Sequence, residues 1–304
     1  MAIREIGSVA KRVYSDVMTN HTMAMAAGLS YYFVMSLFPL LIMAAALVGY
    51  LPIPHLFETI LGAMQRVMPA DSIGLVRAVL RSVASPHKGS FLTIGILGTA
   101  WTASGGFASL IEALNVAYDV PETRPFWKTR ALAMGLMVVI GVLLVAGAIA
   151  MFVGPQFGAW LAAKTSLSWA FAKVWPTLRW VIAIAFVVLA VELVFYWAPN
   201  VKQHFVTTLP GAAMSVAFWI GASYALGIYF QNFAHFNKTY GTLGAAVALM
   251  VWLYWSWFVI LLGAEVNSEL LKAKGHGRME LKQPPPHVIH ARPAWEEEKG
   301  DEAA

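Results

Sequence analysis

Three carboxylates lie in or directly after apolar stretches of this sequence, and their chemistry needs explaining first. Glu192 stands inside "VVLAVELVFYW", Glu112 follows "GGFASLI", and Glu265 follows "SWFVILLGA". A charge at membrane depth costs at least about 2.5 kcal/mol, so each side chain is expected to face protein or water. Such carboxylates are typical of substrate and ion paths, but they also cap helices or form ion pairs. The sequence leaves both roles open.

Two amides accompany these carboxylates. Asn115 follows Glu112 by three residues, a spacing that predicts one shared helix face. Asn267 follows Glu265 by two residues at the end of the last apolar stretch. All of these side chains are predicted to lie in one half of the membrane, and all are candidates for lining a substrate path.

Residues that interrupt or tighten helices supply further candidates. Pro39 in "SLFPLL" predicts a kink that frees a backbone carbonyl, either for a hinge or cavity or only for packing. Ser104, with two glycines after it, predicts either a local helix break, as at substrate sites of transporters, or close packing. Small residues four or six apart predict close helix approaches elsewhere. They are Ala217, Gly221 and Ala225, Gly244 and Ala248, and Gly135, Gly141 and Gly147.

The composition argues against a soluble globular domain. Of the 304 residues, 59% are hydrophobic and 12% are charged, against about 25% charged in ordinary soluble domains. The net charge of +5 is expected to reflect basic residues that orient the protein at one membrane face, not a surface that binds nucleic acid. The absence of cysteine excludes disulfides, thiol catalysis and cysteine metal ligands.

The apolar runs predict an all-α, polytopic membrane bundle of six transmembrane helices, because about 20 apolar residues span a hydrocarbon layer about 30 Å thick. The predicted spans are 29–50, 91–111, 131–153, 178–197, 209–230 and 243–265. They belong to a membrane domain of residues 21–272. An amphipathic helix in residues 1–20 is expected to lie in the interface, residues 55–84 to form amphipathic periplasmic helices, and residues 273–304 to be a disordered cytoplasmic tail.

The distribution of Lys and Arg predicts the orientation. With the N-terminus inside, thirteen of these residues fall in cytoplasmic segments and seven in outer segments. Cytoplasmic loops carry the excess of basic residues, so both termini are predicted to be cytoplasmic.

No enzyme signature is present in the sequence. There is no phosphate-binding loop, zinc-protease motif or nucleophile elbow. His287 and His290 have metal-like spacing, but they stand in a proline-rich tail without an acidic partner set, so neither a metal site nor another cofactor is expected. The expected partners are the lipid bilayer and an envelope lipid or small solute, not nucleic acid. The oligomeric state is left open.

Four segments in order resemble the YihY/BrkB family of bacterial inner-membrane proteins, formerly labelled ribonuclease BN. They are "AMAAGLSYYFVMSLFPLLI", "WTASGGFASLIEALNVAYDVPETRPFWKTRA", "LPGAAMSVAFWIGASYALGIYFQNF" and "KTYGTLGAAVALMVWLYWSWFVILLGAEVNSEL". The resemblance covers residues 20–272 and implies six spans in the cytoplasmic membrane. The matching positions are Ser30, Tyr31, Pro39, Trp101, Asn115, Arg124, Pro210, Gly211, Tyr240, Gly241, Trp252, Tyr254, Gly263, Glu265 and Asn267.

The resemblance implies no catalytic residue, and Tyr240 joins the substrate-path candidates through this match alone. Members of the family have been linked to virulence and to envelope lipid export. Two functions remain as hypotheses: a transporter or lipid-handling protein, or a non-transporting membrane scaffold or envelope-integrity factor. Ribonuclease activity is disfavoured because RNA hydrolysis usually needs a metal cluster or an acid and base at a wet, basic surface.

Overall fold

The computed structural model describes residues 3–50, 89–152, 168–232, 242–274 and 280–282. Within these ranges the regular structure is helical, apart from one isolated β-bridge. The helices are α1 (Ile3–Thr19), α2 (Thr22–Tyr50), α3 (Gly89–Ala117), α4 (Phe126–Phe152), α5 (Ser168–Trp197), α6 (Phe205–Asn232) and α7 (Thr242–Lys274). The predicted all-α class is confirmed for the described residues.

Four of these helices are long and apolar enough to cross a membrane. The qualifying segments are Phe126–Met151, Val174–Trp197, Phe205–Phe230 and Val247–Ala273. At about 1.5 Å per residue, each exceeds the thickness of the hydrocarbon layer. Their outer faces are apolar, as in α4, where Val142 is 62% exposed. This agrees with the predicted third to sixth spans. The helices α2 and α3 include the predicted first and second spans, and residues 55–84 lie outside the described residues.

The helix α7 lies at the centre of the packing. It contacts α6 most extensively, and it also contacts α1, α2 and α3. The other large interfaces join α2 to α3 and α4 to α5. The helix α1 packs on α7 through a face on which Val13 and Val17 are buried. At least part of the apolar face of α1 therefore packs against the bundle.

The helices α6 and α7 cross at very short distance at Gly211 and Gly263. A Cβ atom added at Gly263 would lie 1.8 Å from Ser215 Oγ and 2.7 Å from the Gly211 carbonyl oxygen. A Cβ atom at Gly211 would lie 2.4 Å from the Gly263 carbonyl oxygen. Real side chains do not reach such distances, so both positions require glycine in this packing.

The spacing of small residues predicted close helix approaches on other helix faces. Most of these predictions are wrong. Ala217, Gly221 and Ala225 are exposed, and an added Cβ at Gly221 would meet no atom within 4 Å. Only Gly147 makes a helix contact, with Phe186 Cβ at 3.6 Å from its added Cβ. Gly135 and Gly141 meet nothing within 4 Å, Ala248 is half-buried, and the surroundings of Gly244 lie outside what the structure describes. Glycine and alanine tolerate a lipid-facing position as well as a packed one, so spacing alone does not identify the interface.

The predicted break in the second apolar helix is wrong, because α3 continues through Ser104 and the glycines after it. The Ser104 hydroxyl donates to the Trp101 carbonyl oxygen at 2.9 Å within the helix. Arg130 of α4 donates to the same carbonyl oxygen, and its guanidinium lies 4.3 Å from the Trp101 ring centroid. Ser104 is fully buried, which favours the alternative of close packing at that residue, whereas a Cβ atom added at Gly106 would meet no atom within 4 Å.

Part of the tail that was predicted to be disordered has a defined position. Leu281 forms an isolated antiparallel bridge with Val201, between α5 and α6. The Lys282 amine donates to the carbonyl oxygens of Tyr196 at 2.7 Å and Pro199 at 3.0 Å. A lysine near a helix C-terminus satisfies carbonyls that lack helical partners, which explains why this segment stays at the end of α5. Residues 283–304 lie outside the described residues.

The glycine crossing gives a direct test of the packing. We expect Gly263→Ala to lower the free energy of unfolding by about 1–3 kcal/mol, because the new methyl group overpacks the α6–α7 interface. The measurement is thermal unfolding of the detergent-purified protein, followed by tryptophan fluorescence. Gly221→Ala is the matched control: the site is open, so its unfolding temperature should stay the same or rise slightly. Equal unfolding temperatures for both variants would contradict the close crossing.

Candidate functional site

The buried polar side chains collect at one end of the bundle, which we call the polar end. It is formed by the last turns of α3, α5 and α7, the first turns of α2 and α6, and the helix α1. Its fully or nearly fully buried polar members are Thr22, Asn115, Glu192, Asn200, Thr208, Glu265, Asn267, Ser268 and Glu269. Glu192 and Glu265 therefore lie at the same end of the bundle.

Glu192 is fully buried on α5 and bonds to the first turn of α6. Its Oε1 accepts a hydrogen bond from the Thr208 hydroxyl, which also donates to the Phe205 carbonyl oxygen at 2.9 Å. The N-terminal end of a helix favours negative charge, so this position suits a carboxylate. The second oxygen, Oε2, has no hydrogen-bond partner among the described residues. Glu192 is therefore a buried acid with one acceptor oxygen unused.

The side chain of Asn267 on α7 forms two hydrogen bonds with the backbone of α6 near Pro210. Its Oδ1 accepts a hydrogen bond from the Gly211 amide at 2.9 Å, and its Nδ2 donates to the Thr208 carbonyl oxygen at 2.7 Å. Proline inside a helix removes a backbone donor and disturbs the bonds of the preceding turn. The single amide therefore bonds to the α6 backbone on both sides of Pro210. It also joins Thr208, and through it Glu192, to α7.

Tyr118 lies just beyond α3 and reaches the same group of residues. It is fully buried, and its hydroxyl lies among the side chains of Asn267, Gln203 and Glu192. Burial raises the pKa of this hydroxyl, and the nearby Glu192 raises it further. The phenol is therefore neutral, and its oxygen, like Glu192 Oε2, has no hydrogen-bond partner among the described residues.

Glu265 on α7 is bound to the junction between α1 and α2. Its Oε1 accepts hydrogen bonds from Asn20 Nδ2 and from the Thr22 hydroxyl, each at 3.1 Å. Thr22 is the first residue of α2, so this carboxylate, like Glu192, lies at a helix N-terminus. Its Oε2 has no partner among the described residues. This contact explains why an acidic residue ends the long apolar helix.

Asn115 holds two loops together at the polar end. Its Oδ1 accepts from the Asn200 amide at 2.8 Å, and its Nδ2 donates to Glu122 at 2.8 Å. Arg124 donates to both oxygens of Glu122 and to the Ala198 carbonyl oxygen at 2.7 Å. Partial burial raises the pKa of the Glu122 carboxyl, but the hydrogen bonds and charge of Arg124 outweigh it and hold the pKa below its ordinary value of 4.5. The loops after α3 and α5 are thus fixed to each other.

A charge cluster attaches α1 to the end of α7. Lys272 lies 2.6 Å from Asp119, 2.8 Å from Glu269 and 3.5 Å from Asp16, and Arg12 pairs with Glu269. Burial raises the pKa of Asp16, while the charge of Lys272 opposes that rise. The sequence analysis did not predict this cluster, although the charged residues Arg12 and Asp16 on the amphipathic helix α1 could have indicated ion pairs with α7.

The remaining candidates do not join these contacts. Glu112 is exposed while Asn115 is buried, so the expected shared face is not formed. The helix α2 continues through Pro39, and Tyr240 lies outside the described residues. Sequence reasoning also missed Thr208, Tyr118 and Thr22. Thr208 had a signal, since it precedes a helical proline whose neighbours need other partners.

No group of three or more His, Asp or Glu side chains that could hold a metal ion occurs in the part of the chain that the structure describes. The chemical features of the polar end are therefore unpaired carboxylate oxygens, a buried phenol and hydroxyls. Such a set can exchange protons or hydrogen bonds with a bound group.

Comparisons with known proteins agree with the geometry. The family model described as "Virulence factor BrkB" matches residues 13–286. The chain belongs to the virulence factor BrkB family. The match includes Glu192, Thr208, Glu265 and Asn267 and confirms the resemblance noted from the sequence motifs. No solved structure matches the chain.

Three relatives show the range of names in the family. A ribonuclease-like protein, YfkH, of Bacillus subtilis (strain 168) is 31% identical over 88% of this chain and 96% of its own length. A UPF0761 membrane protein of Aeromonas salmonicida (strain A449) is 26% identical over 86% of this chain and 88% of its own. One of Paraburkholderia xenovorans (strain LB400) is 26% identical over 81% of this chain but 56% of its own. The family and membrane assignments are thus supported.

The lowered pKa of Glu122 predicts a pH-dependent contribution to stability. This contribution is fully present above pH 4.5 and is lost as the pH falls through the lower pKa of the folded state. We expect Glu122→Gln to lower the unfolding free energy by about 1–3 kcal/mol at pH 7, and the difference from wild type to shrink below pH 4.5. Thermal unfolding at a series of pH values measures both effects.

Glu280→Gln is the matched control for this series. Glu280 pairs with Lys202, but its side chain is 74% exposed, and exposed ion pairs contribute little. Its unfolding temperature should follow that of the wild type throughout the series. A Glu122→Gln difference that stays constant down to pH 3 would contradict the assignment.

Proposed function

We propose that this membrane protein is a transporter or lipid-handling protein of the cell envelope, and that Glu192 is part of its working site. The observation that carries the proposal is the fully buried Glu192 carboxylate at the polar end, whose Oε2 has no hydrogen-bond partner among the described residues. A carboxylate that only joined helices would be expected to have both oxygens paired, because an unsatisfied buried acceptor is costly. Retaining one free oxygen fits a group that binds a passing substrate or proton.

One observation favours the alternative, a membrane scaffold or envelope-integrity factor. Asn267, Asn115 and the Oε1 atom of Glu265 are all engaged in joining helices and loops. In this alternative, substitution at the polar end weakens the fold and has no separate effect on transport. The two functions therefore differ in whether activity is lost from a protein that remains stable.

The proposal is tested by Glu192→Gln, because glutamine keeps an acceptor for the Thr208 hydroxyl but removes the charge. Purified protein in phosphatidylethanolamine and phosphatidylglycerol vesicles is assayed for transbilayer movement of a fluorescent phospholipid. We expect the wild type to accelerate this movement, and Glu192→Gln to slow it at least about tenfold, or about 1.4 kcal/mol in barrier height, with little change in unfolding temperature.

Glu112→Gln is the control for this assay, since the same substitution at an exposed position should leave the rate unchanged. A wild-type rate in Glu192→Gln would remove Glu192 from the mechanism. A wild-type protein no faster than empty vesicles would reject phospholipid movement. Loss of stability together with any loss of rate would favour the scaffold.

We further propose six membrane spans, with α2 and α3 as the first two, in the bacterial inner membrane and with both termini cytoplasmic. The excess of Lys and Arg in the segments assigned to the cytoplasm supports this orientation. The proposal places the polar end at the cytoplasmic side, because α1 and the end of α7 both belong to it.

Single introduced cysteines test the orientation, since the natural chain has none. Tyr14→Cys, at a position 68% exposed on α1, should react with a membrane-impermeant maleimide only after the cells are opened. Lys164→Cys, in a segment predicted to be periplasmic, should react in intact cells. The reverse pattern would invert the proposed topology.

A further inference from the structure

A cavity of about 250 Å³ lies in the middle of the bundle, and none of the contacts of the polar end uses it. We call it the central cavity. Side chains from every described helix except α1 line it. They are Phe33, Phe107, Leu110, Ile140, Leu144 and Val187, with Ala190, Val191, Val194, Ser215, Val216 and Trp219, and Trp252, Leu253, Ser256, Trp257 and Ile260. The cavity therefore lies among the membrane-spanning segments.

The lining offers few groups to a polar occupant. Ser256 Oγ accepts from Trp219 Nε1 at 3.0 Å and donates to the Trp252 carbonyl oxygen at 2.8 Å. Trp252 Nε1 donates to Ser223 Oγ at 3.1 Å. Only Ser215 Oγ and Trp257 Nε1 lack a hydrogen-bond partner among the described lining residues. The surface that the lining presents to the cavity is almost entirely apolar, so the cavity favours an apolar occupant.

We propose that the central cavity binds one hydrocarbon chain of a membrane lipid or fatty acid. The volume exceeds that of an engineered apolar cavity of about 150 Å³ that stays dry and binds benzene, so it has room for a chain segment of several carbons. Phe33 and Leu144 line the cavity and are also exposed, Leu144 by 49%. A chain can therefore reach the cavity from the side of the surrounding lipid.

The membrane setting identifies this occupant. The exposed faces of α4 and α5 are apolar, with Val142 62% and Val181 57% exposed. In a membrane these faces are surrounded by lipid chains. A small ion or sugar would lose its hydration in a site without matching polar groups. The inference rests on the proposed function, which places the protein in a membrane. It adds to that function the class of ligand and the place where the apolar part of the ligand binds.

Photo-crosslinking tests the proposal on the intact protein. The wild type is reconstituted in phosphatidylethanolamine and phosphatidylglycerol vesicles that contain either a phospholipid or a free fatty acid with a diazirine near the end of its chain. After irradiation, mass spectrometry locates the modified residues. We expect modification at cavity residues such as Val191 and Leu253, in addition to lipid-facing residues such as Val142. Modification by one probe alone supports the inference and identifies the source of the chain.

A filled cavity provides the matched comparison. Ala190→Phe places a ring in the cavity, because Ala190 lines it and is 3% exposed, and should remove most of the cavity labelling. Ala217→Phe makes the same substitution on the exposed face of α6 and should leave that labelling unchanged. Labelling at Val142 should be the same in all three proteins. If Ala190→Phe does not fold, the smaller Ala190→Leu is used.

The outcomes separate this inference from the proposed function. Wild-type labelling confined to lipid-facing residues would overturn the inference, and so would unchanged cavity labelling in a folded Ala190 variant. Neither result depends on transport. Cavity labelling in a protein that moves no phospholipid would support the binding site while rejecting phospholipid movement. Cavity labelling that persists in Glu192→Gln would show that chain binding is independent of the polar end.

Discussion

Glu192 and Glu265, the two acids buried in this bundle at membrane depth, have their partners on other helices, because lipid offers none. Glu265 meets this requirement at the first residue of α2, and Glu192 meets it in the first turn of α6. In both contacts a threonine hydroxyl donates to the carboxylate at a helix end that favours negative charge. The beginnings of α2 and α6 are consequently bound to α7 and α5. The same contacts that reduce the cost of burying two acids also fix the positions of four helices.

The glycine crossing depends on the same requirement. Asn267 can bond to the backbone of α6 only if the axes of α6 and α7 come close, and Gly211 and Gly263 permit that approach. Pro210 lies between the two backbone groups of α6 that Asn267 contacts. Three features that look separate in the sequence, a proline, two glycines and an asparagine, are therefore parts of one packing arrangement.

The sequence predicted the helices better than their contacts. Apolar runs of about 20 residues are a strong signal, so the four spans from 131 to 265 agree with long apolar helices. Partners are harder to predict, because Glu265 bonds to residues about 245 positions away in the chain. Spacing also selected Ala217 and Gly221, which are exposed, over Gly211 and Gly263, which are packed. The depth of Glu192 did indicate burial, whereas the position of Glu112 at a helix end indicated nothing about its exposure.

Ser215 connects the glycine crossing with the central cavity. It lines the cavity, and its hydroxyl lies where a Cβ of Gly263 would be. Ser215 therefore belongs both to the contact between α6 and α7 and to the lining of the cavity. Thr208 lies seven residues earlier on α6, about 10 Å along the helix, and holds Glu192. The helix α6 thus connects the cavity with the buried acid. Its residue Ser215 lines the cavity and contacts Gly263, and its residue Thr208 bonds to Glu192.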